Sequence, residues 1–312
     1  MWHFVIRRVV FAIPILLGVS VIIFSLVHIG PGDPVSAVVP ADAPQETVER
    51  LRKDLGFDKP LHIQYINWLG RALRGDLGIS VATSRPVWDE LKGAVGNTFI
   101  IAVAAAIIGF SAGCAAGALA AYWHGRFLDK VATAFAITGV SLPHYWVGIL
   151  LVIIFSVELN WLPAMGIGGA GEWSSELFRH MIMPVATMSL IPMGVVARMV
   201  RASILEVLGQ EFVLALHSKG LFSNRVVRHV VKNAAPSVLA VMGIQFGYML
   251  GGSILVETVF NWPGSGLLMN QAIFKRDLPV LQGIILILAS FFVILNLLVD
   301  ILQSVLDPRI RR

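Results

Sequence analysis

The chain has 312 residues, of which 56% are hydrophobic and only 14% charged; its mean hydropathy is +0.78. This excludes a water-soluble globule and makes the bilayer the natural solvent. The net charge of +5 does not mark a nucleic-acid surface, because the Lys and Arg residues lie between apolar runs and are not interleaved with exposed aromatics. The single cysteine, Cys114, lies in an apolar run, which excludes an internal disulfide or a cysteine-based metal site and leaves it a small packing residue.

Residues 9–29 follow Arg7 and Arg8. The run exceeds a signal-peptide core of ~7–15 residues and no A-x-A-like site follows it, so an uncleaved transmembrane helix is expected. Segment 31–96 is polar, with Glu46, Glu49, Asp54 and Asp58 accompanying Arg50, Arg52, Lys53, Arg71 and Arg74. Long loops translocate largely regardless of charge. Within it Pro60 opens a helix in which Leu61, Tyr65, Leu69 and Leu73 recur every four residues, and Gly75 ends it, giving an outer cap.

Five further runs, 98–122, 131–157, 182–200, 236–257 and 280–303, are long enough to cross ~30 Å of hydrocarbon. Six spans place both termini on one side. Arg126 and Lys130 in one short connection, Arg198, Arg201, Lys219, Arg225, Arg228 and Lys232 in another, and Arg309, Arg311 and Arg312 at the end mark that side as cytoplasmic. The outer loops 160–180 and 261–279 carry Trp residues expected at the membrane interface. Pro143, Pro184 and Pro192 fall within spans and are expected to bend them.

Gly109, Ser111 and Gly113 fit the G-x-S-x-G pattern of serine hydrolases, which requires a strand-to-helix turn. Here the pattern lies in mid-span, and Gly109, Gly113 and Gly117 recur every fourth residue, as for close helix packing. A membrane-embedded protease using Ser111 is the rival reading, with His144 its conceivable base; a histidine beside Pro143 otherwise lines a cavity or caps broken backbone. Gln245, Tyr248, Glu257, Asn296 and Asp300 are the other polar groups within or near spans. Gln245 and Tyr248, among Gly243, Gly247, Gly251 and Gly252, either line a path or bond neighbouring helices.

Segment 211–236, EFVLALHSKGLFSNRVVRHVVKNAAP, is polar and basic between two hydrophobic spans and is expected to project from the membrane. Residues 211–218 can form a short helix ended by a left-handed Gly220, after which Ser223 or Asn224 can cap a second helix carrying Arg225, Arg228 and Lys232. The alternative is a solvated positive-inside loop. No G-x-x-x-x-G-K-[ST] and no H-E-x-x-H occurs, so a phosphate cradle and a zinc-protease helix are not expected.

PGDP at 31–34, Gln64-Tyr65, GDLG at 75–78, RPV at 85–87, SKG at 218–220 with its downstream RH and KNA, GGSILVETVFNWPGSG at 251–266 and DPRIR at 307–311 together resemble the permease subunits of binding-protein-dependent ABC importers, in particular the dipeptide, oligopeptide and nickel permease family. The resemblance covers essentially the whole chain. It implies an all-α type I importer bundle: an N-terminal helix (1–30), an extracytoplasmic cap (31–96), a transmembrane domain (97–305) with a coupling loop (206–235), and a cytoplasmic tail (306–312). It assigns Glu211 to Gly220 as a coupling helix, so that Glu211, Ala215, His217, Ser218, Lys219, Gly220 and Arg228 form the ATPase-coupling loop; the polar residues His144, Gln245 and Tyr248 are the candidate translocation path. Where the family commonly reads R-T-A-R-A-K-G, this chain has Leu214, Ala215, Leu216, His217, Ser218, Lys219 and Gly220, which implies a more apolar docking face.

The implied partners are a second permease, two ATPases, an extracytoplasmic binding protein and membrane lipid in a bacterial inner membrane. ATP and magnesium belong to the ATPases, and no cofactor, metal or catalytic residue is expected here. Peptides are the implied substrate, with glutathione and nickel chelates as alternatives. An ion-coupled secondary transporter is the third reading and lacks a convincing buried acidic relay.

Overall fold

The computed structural model describes residues 2–29, 49, 58–169 and 174–306. PGDP at 31–34, DPRIR at 307–311, most of the charges expected in the cap, and residues 170–173 of the second outer loop lie outside them. Among the described residues the long elements are all helices. A helix satisfies every backbone donor and acceptor within its own segment, which hydrocarbon cannot do for it.

Five helices are long and apolar enough to cross a membrane: α1 (Trp2–Ile29), α3 (Val87–Tyr122), α6 (Ser175–Leu208), α8 (Ser223–Gly252) and α11 (Leu278–Leu306). Between the first two lies α2 (Leu61–Ala72), opened by Pro60 and followed by Gly75 at φ +83°, as its spacing predicts. It rests on α1: Ser20 Oγ and Tyr65 Oη lie 2.8 Å apart, and Phe24 meets the Tyr65 ring edge-on.

The third span bends at Pro143, as expected, but so sharply that it is two helices. In place of one helix over 131–157, α4 (Phe127–Ser141) and α5 (His144–Leu151), the latter continuing as a π-helix over Val152–Glu158, are bent 95° apart. Leu142 is extended at ψ 134°, the conformation a following proline enforces, and Pro143 then opens α5. Pro184 and Pro192, by contrast, are carried inside the single 34-residue α6.

The bundle is organised on α6, which packs most extensively against α3. The expected glycine ribbon is the contact itself: a Cβ on Gly109, Gly113 or Gly117 would lie 2.8, 2.7 or 2.4 Å from the carbonyl oxygens of Ser189, Met193 and Ala197. Ser111 lies on the exposed face of this unbroken helix, with none of the turn geometry a nucleophile elbow requires. Cys114 packs beside Val196 and Val200.

Two boundaries and one tryptophan move. Helix α3 starts at Val87, not near 97, and its 36 residues extend about 54 Å, so its first turns stand outside the hydrocarbon, with Val87 and Leu91 buried against Val280 and Ile284 of α11. The fifth span divides at Ser253 into α8 and α9 (Ile254–Val259). Trp262, expected at the interface, is fully buried, with Nε1 donating to Asn97 O at 3.1 Å, whereas Trp161 is exposed.

The matched motifs build the end of the bundle that carries α2. Gly78, at φ +89°, accepts from Val87 N at 3.0 Å, and Ser80 N donates to Arg85 O at 2.8 Å, so GDLG and RPV are two sides of one turn. Asp277 fastens it by accepting from Ser80 Oγ and Ala82 N while capping α11 through Val280 N. In the next motif Glu257, fully buried, accepts from Thr98 Oγ1 at 2.7 Å and from Gly266 N and Leu267 N at 2.7 and 3.0 Å. These are orphan donors in the first turn of α10 (Ser265–Phe274). Gly264 and Gly266 leave room for that carboxylate, since a Cβ on either would lie within 3.0 Å of it.

Candidate functional site

The connection from α6 to α8 holds only α7 (Glu211–Ser218) and two tight turns. The expected second loop helix is not separate: it is the start of α8, which runs unbroken from Ser223 through Pro236. Its N-cap is Phe222 with no side-chain bond, so neither Ser223 nor Asn224 caps it. The other turn is as expected. Gly220 takes φ +70°, and Leu221 N bonds to Leu216 O at 3.3 Å while Gly220 N bonds to His217 O at 2.9 Å, the paired closure of a helix ending in a left-handed residue.

The amphipathicity of α7 fixes its roll. Val213 is buried with Val207, Val226 and Val230, and Phe212, Leu216 and Leu221 pack on that cluster. The opposite face carries Glu211, Ala215, His217, Ser218, Lys219 and Gly220, all exposed, with Arg228 exposed on the adjoining turn of α8. Two of these side chains are already engaged: His217 Nδ1 donates to Val213 O at 2.9 Å and Ser218 Oγ donates to Leu214 O at 3.0 Å. Leu214, 72% exposed, and Phe222, 78% exposed, give this surface an apolar tip. Such exposed apolar knobs between basic side chains suit a protein groove.

Within the bundle, His144, Gln245 and Tyr248 line one cavity of about 840 Å³, together with Met188, Met249 and Met269. Its wall is otherwise apolar, and among the described residues no Asp, Glu, Lys or Arg lines it. The bend at Pro143 brings His144 there, at the first turn of α5. The glycines of α8 do two jobs. Gly243 and Gly247 are packing contacts, since a Cβ on the first would lie 2.5 Å from Val299 and on the second 2.4 Å from Phe292 of α11, while Gly247, Gly251 and Gly252 line the cavity.

Two ion pairs escape the sequence pattern. Arg8 Nη1 meets Asp300 at 2.7 Å, tying α1 to α11. Asp129 is 4% exposed and is held by Arg201 on both oxygens, at 2.6 and 2.8 Å. The basic residues read as topology and Asp300 read as intramembrane polarity are the only sequence hints of these pairs; Asp129 carries no signal of its own.

Residues 113–312 match the family model of the binding-protein-dependent transport system inner membrane component, and residues 1–102 match that of its N-terminal region. The chain is 39% identical over 312 residues to the glutathione transport system permease protein GsiC of Escherichia coli O6:H1, covering 100% of this chain and 99% of that protein. It is 38% identical over the same length to the GsiC of Escherichia coli strain K12. Among solved structures, a chain of the MetNI methionine ABC transporter superposes with a TM-score of 0.57 at 17% identity, covering 70% of this chain and 96% of that one. An amino acid ABC transporter superposes with a TM-score of 0.51 at 16% identity, covering 71% and 94%. The bundle therefore has the ABC importer permease fold.

Proposed function

This chain belongs to the family of binding-protein-dependent transport system inner membrane components, the permease subunits of ABC importers, and from that premise we propose that it forms half of the path by which glutathione or a short peptide is imported. Near-identical length and 39% identity to a glutathione permease support glutathione as the first substrate to test. The cavity around His144, Gln245 and Tyr248 is the segment of the path on this chain. Its apolar wall with a few polar groups suits a small zwitterion or peptide held loosely enough to leave.

The observation that carries the mechanism is the closure of α7 at Gly220, which presents an apolar tip and basic flank at the turn between two spans. We assign residues 211–220 as the coupling helix, docked in a groove of a partner ATPase, with a second permease and an extracytoplasmic binding protein completing the assembly. ATP-driven closure of two ATPases would displace α7 and shift the bundle between two openings, each ligand favouring one of them. The basic connections bordering α7 support a cytoplasmic position for it and for both termini.

The test is ATP-dependent uptake of labelled glutathione and of a labelled tripeptide by the complete transporter in liposomes. Gly220→Trp is expected to insert normally yet to lose ATPase co-purification and uptake. Normal uptake by Gly220→Trp sinks the docking assignment, and failure of both substrates under ATP sinks the substrate class.

A further inference from the structure

The pair Asp129 and Arg201 has no part in the cavity or the docking tip, yet it is the most densely bonded buried charge among the described residues. Besides the two bonds from Arg201, Asp129 accepts from Gly125 N at 2.9 Å and from Thr133 Oγ1 at 3.3 Å, with His124 Nδ1 3.2 Å away. A helix cap alone would use the local partners. The Arg201 fork comes from 72 residues away, on α6, and a bidentate fork fixes orientation as well as distance. Asp129 is buried while Arg201 is partly exposed, and such a pair can specify geometry even where it adds little net stability.

Its position says which geometry. Helices α4 and α6 run antiparallel in close contact: Asp129, Ala136 and Gly139 in rising order meet Arg201, Gly194 and Leu190 in falling order. The middle contact is nearly backbone on backbone, since a Cβ on Gly194 would lie 2.4 Å from Ala136 O; a Cβ on Gly139 would lie 3.5 Å from Leu190 O. Arg201 stands about 10 Å along α6 from its end at Leu208, beyond which α7 begins at Glu211. Asp129 stands about 18 Å along α4 from Ser141, beyond which the 95° break leads to His144 in the cavity.

We propose that Asp129 and Arg201 are positioning residues that lock α4 to the end of α6 as one rigid body. A displacement of α7 is thereby delivered along α4 to the Leu142–Pro143 break and moves His144 at the cavity wall. The proposal rests on the ATP-coupled reading above. Without the pair, α4 can lag behind α6, and ATP is hydrolysed without a matching change at His144.

The experiment uses the complete transporter in liposomes on a Cys114→Ala background, which removes the only native thiol of this chain. Asp129→Asn and Arg201→Gln are expected to hold ATPase activity within about twofold while uptake per ATP falls at least fivefold. Because either variant leaves one member of the pair without its partner and can misfold, the decisive variant is Asp129→Cys with Arg201→Cys. Its uptake should be low when reduced, return to at least half the parental value when a short bis-thiosulfonate bridges the two thiols, and fall again on reduction. Unbridged uptake equal to the parent, or uptake that the bridge fails to restore, overturns the rigid coupling. A Cys114→Ala parent without ATP-driven uptake fails the transport reading itself and takes this inference with it.

Discussion

Gly117 of α3 and Ala197 of α6 meet backbone to backbone, at a separation that would leave a Cβ on Gly117 only 2.4 Å from the Ala197 carbonyl oxygen. Neither side can yield by turning a side chain. Gly117→Val is therefore expected to cost roughly 1–3 kcal/mol by overpacking, read as a lower melting midpoint of the detergent-solubilised protein. Gly93→Ala on the same helix, where nothing lies within 4 Å, is the control and should be neutral or stabilising by up to ~1 kcal/mol. Equal midpoints for Gly117→Val and the wild type would contradict this packing.

Glu257 provides a second contrast, between two substitutions at one buried site. Glu257→Ala strands the backbone donors of Gly266 and Leu267, at roughly 1–3 kcal/mol for each one left unpaired. Glu257→Gln keeps one oxygen for the two backbone N–H groups and turns its amide toward Thr98 Oγ1, which can accept while donating to Ser265 Oγ, 2.9 Å away. The glutamine variant should therefore retain most of the folded, monodisperse protein on size exclusion and the alanine variant little. Indistinguishable profiles would mean that the carboxylate is not what holds the start of α10.

At Gly220 the constraint is dihedral, since nothing lies within 4 Å of a Cβ there while φ is +70°. Asparagine tolerates that region, alanine less, and a β-branched residue least, with a left-handed non-glycine residue costing roughly 1–2 kcal/mol. Uptake should fall in the order glycine, asparagine, alanine, valine at this position. The first two substitutions suffice to see the trend: Gly220→Ala exceeding Gly220→Asn in uptake would already reverse it.

Thr187 Oγ1 is buried with no hydrogen-bond partner among the described residues. Thr187→Val keeps the shape and removes the unpaired hydroxyl, so the melting midpoint should rise or hold, by a gain of up to ~1 kcal/mol. A loss of more than about 1 kcal/mol, judged against the wild type in the same detergent, would show that the hydroxyl has a bound water or lipid partner.

What the sequence determined by itself is whatever depends on local pattern. Apolar runs of membrane length placed six spans, five of them single helices among the described residues and the third a bent pair. The glycine period at 109, 113 and 117 marked the α3–α6 contact, and Gly220 and Gly75 ended their helices as glycines do. The motif residues also identified the family, although not why each is there: Glu257 and Asp277 act by bonding groups far along the chain, and periodicity carries no record of such partners.

Tertiary structure alone decided the rest. It set the bend that Pro143 announces to 95° and so carried His144 to the cavity wall beside Gln245 and Tyr248, residues about 100 positions later in the chain. It buried Trp262, merged the second loop helix into α8, and joined Asp129 to Arg201. Each of these follows from which surfaces meet once the helices pack. Burial of an indole or a carboxylate is settled by whether a partner from another helix satisfies its polar atoms, a condition that neither residue's neighbours in sequence can express.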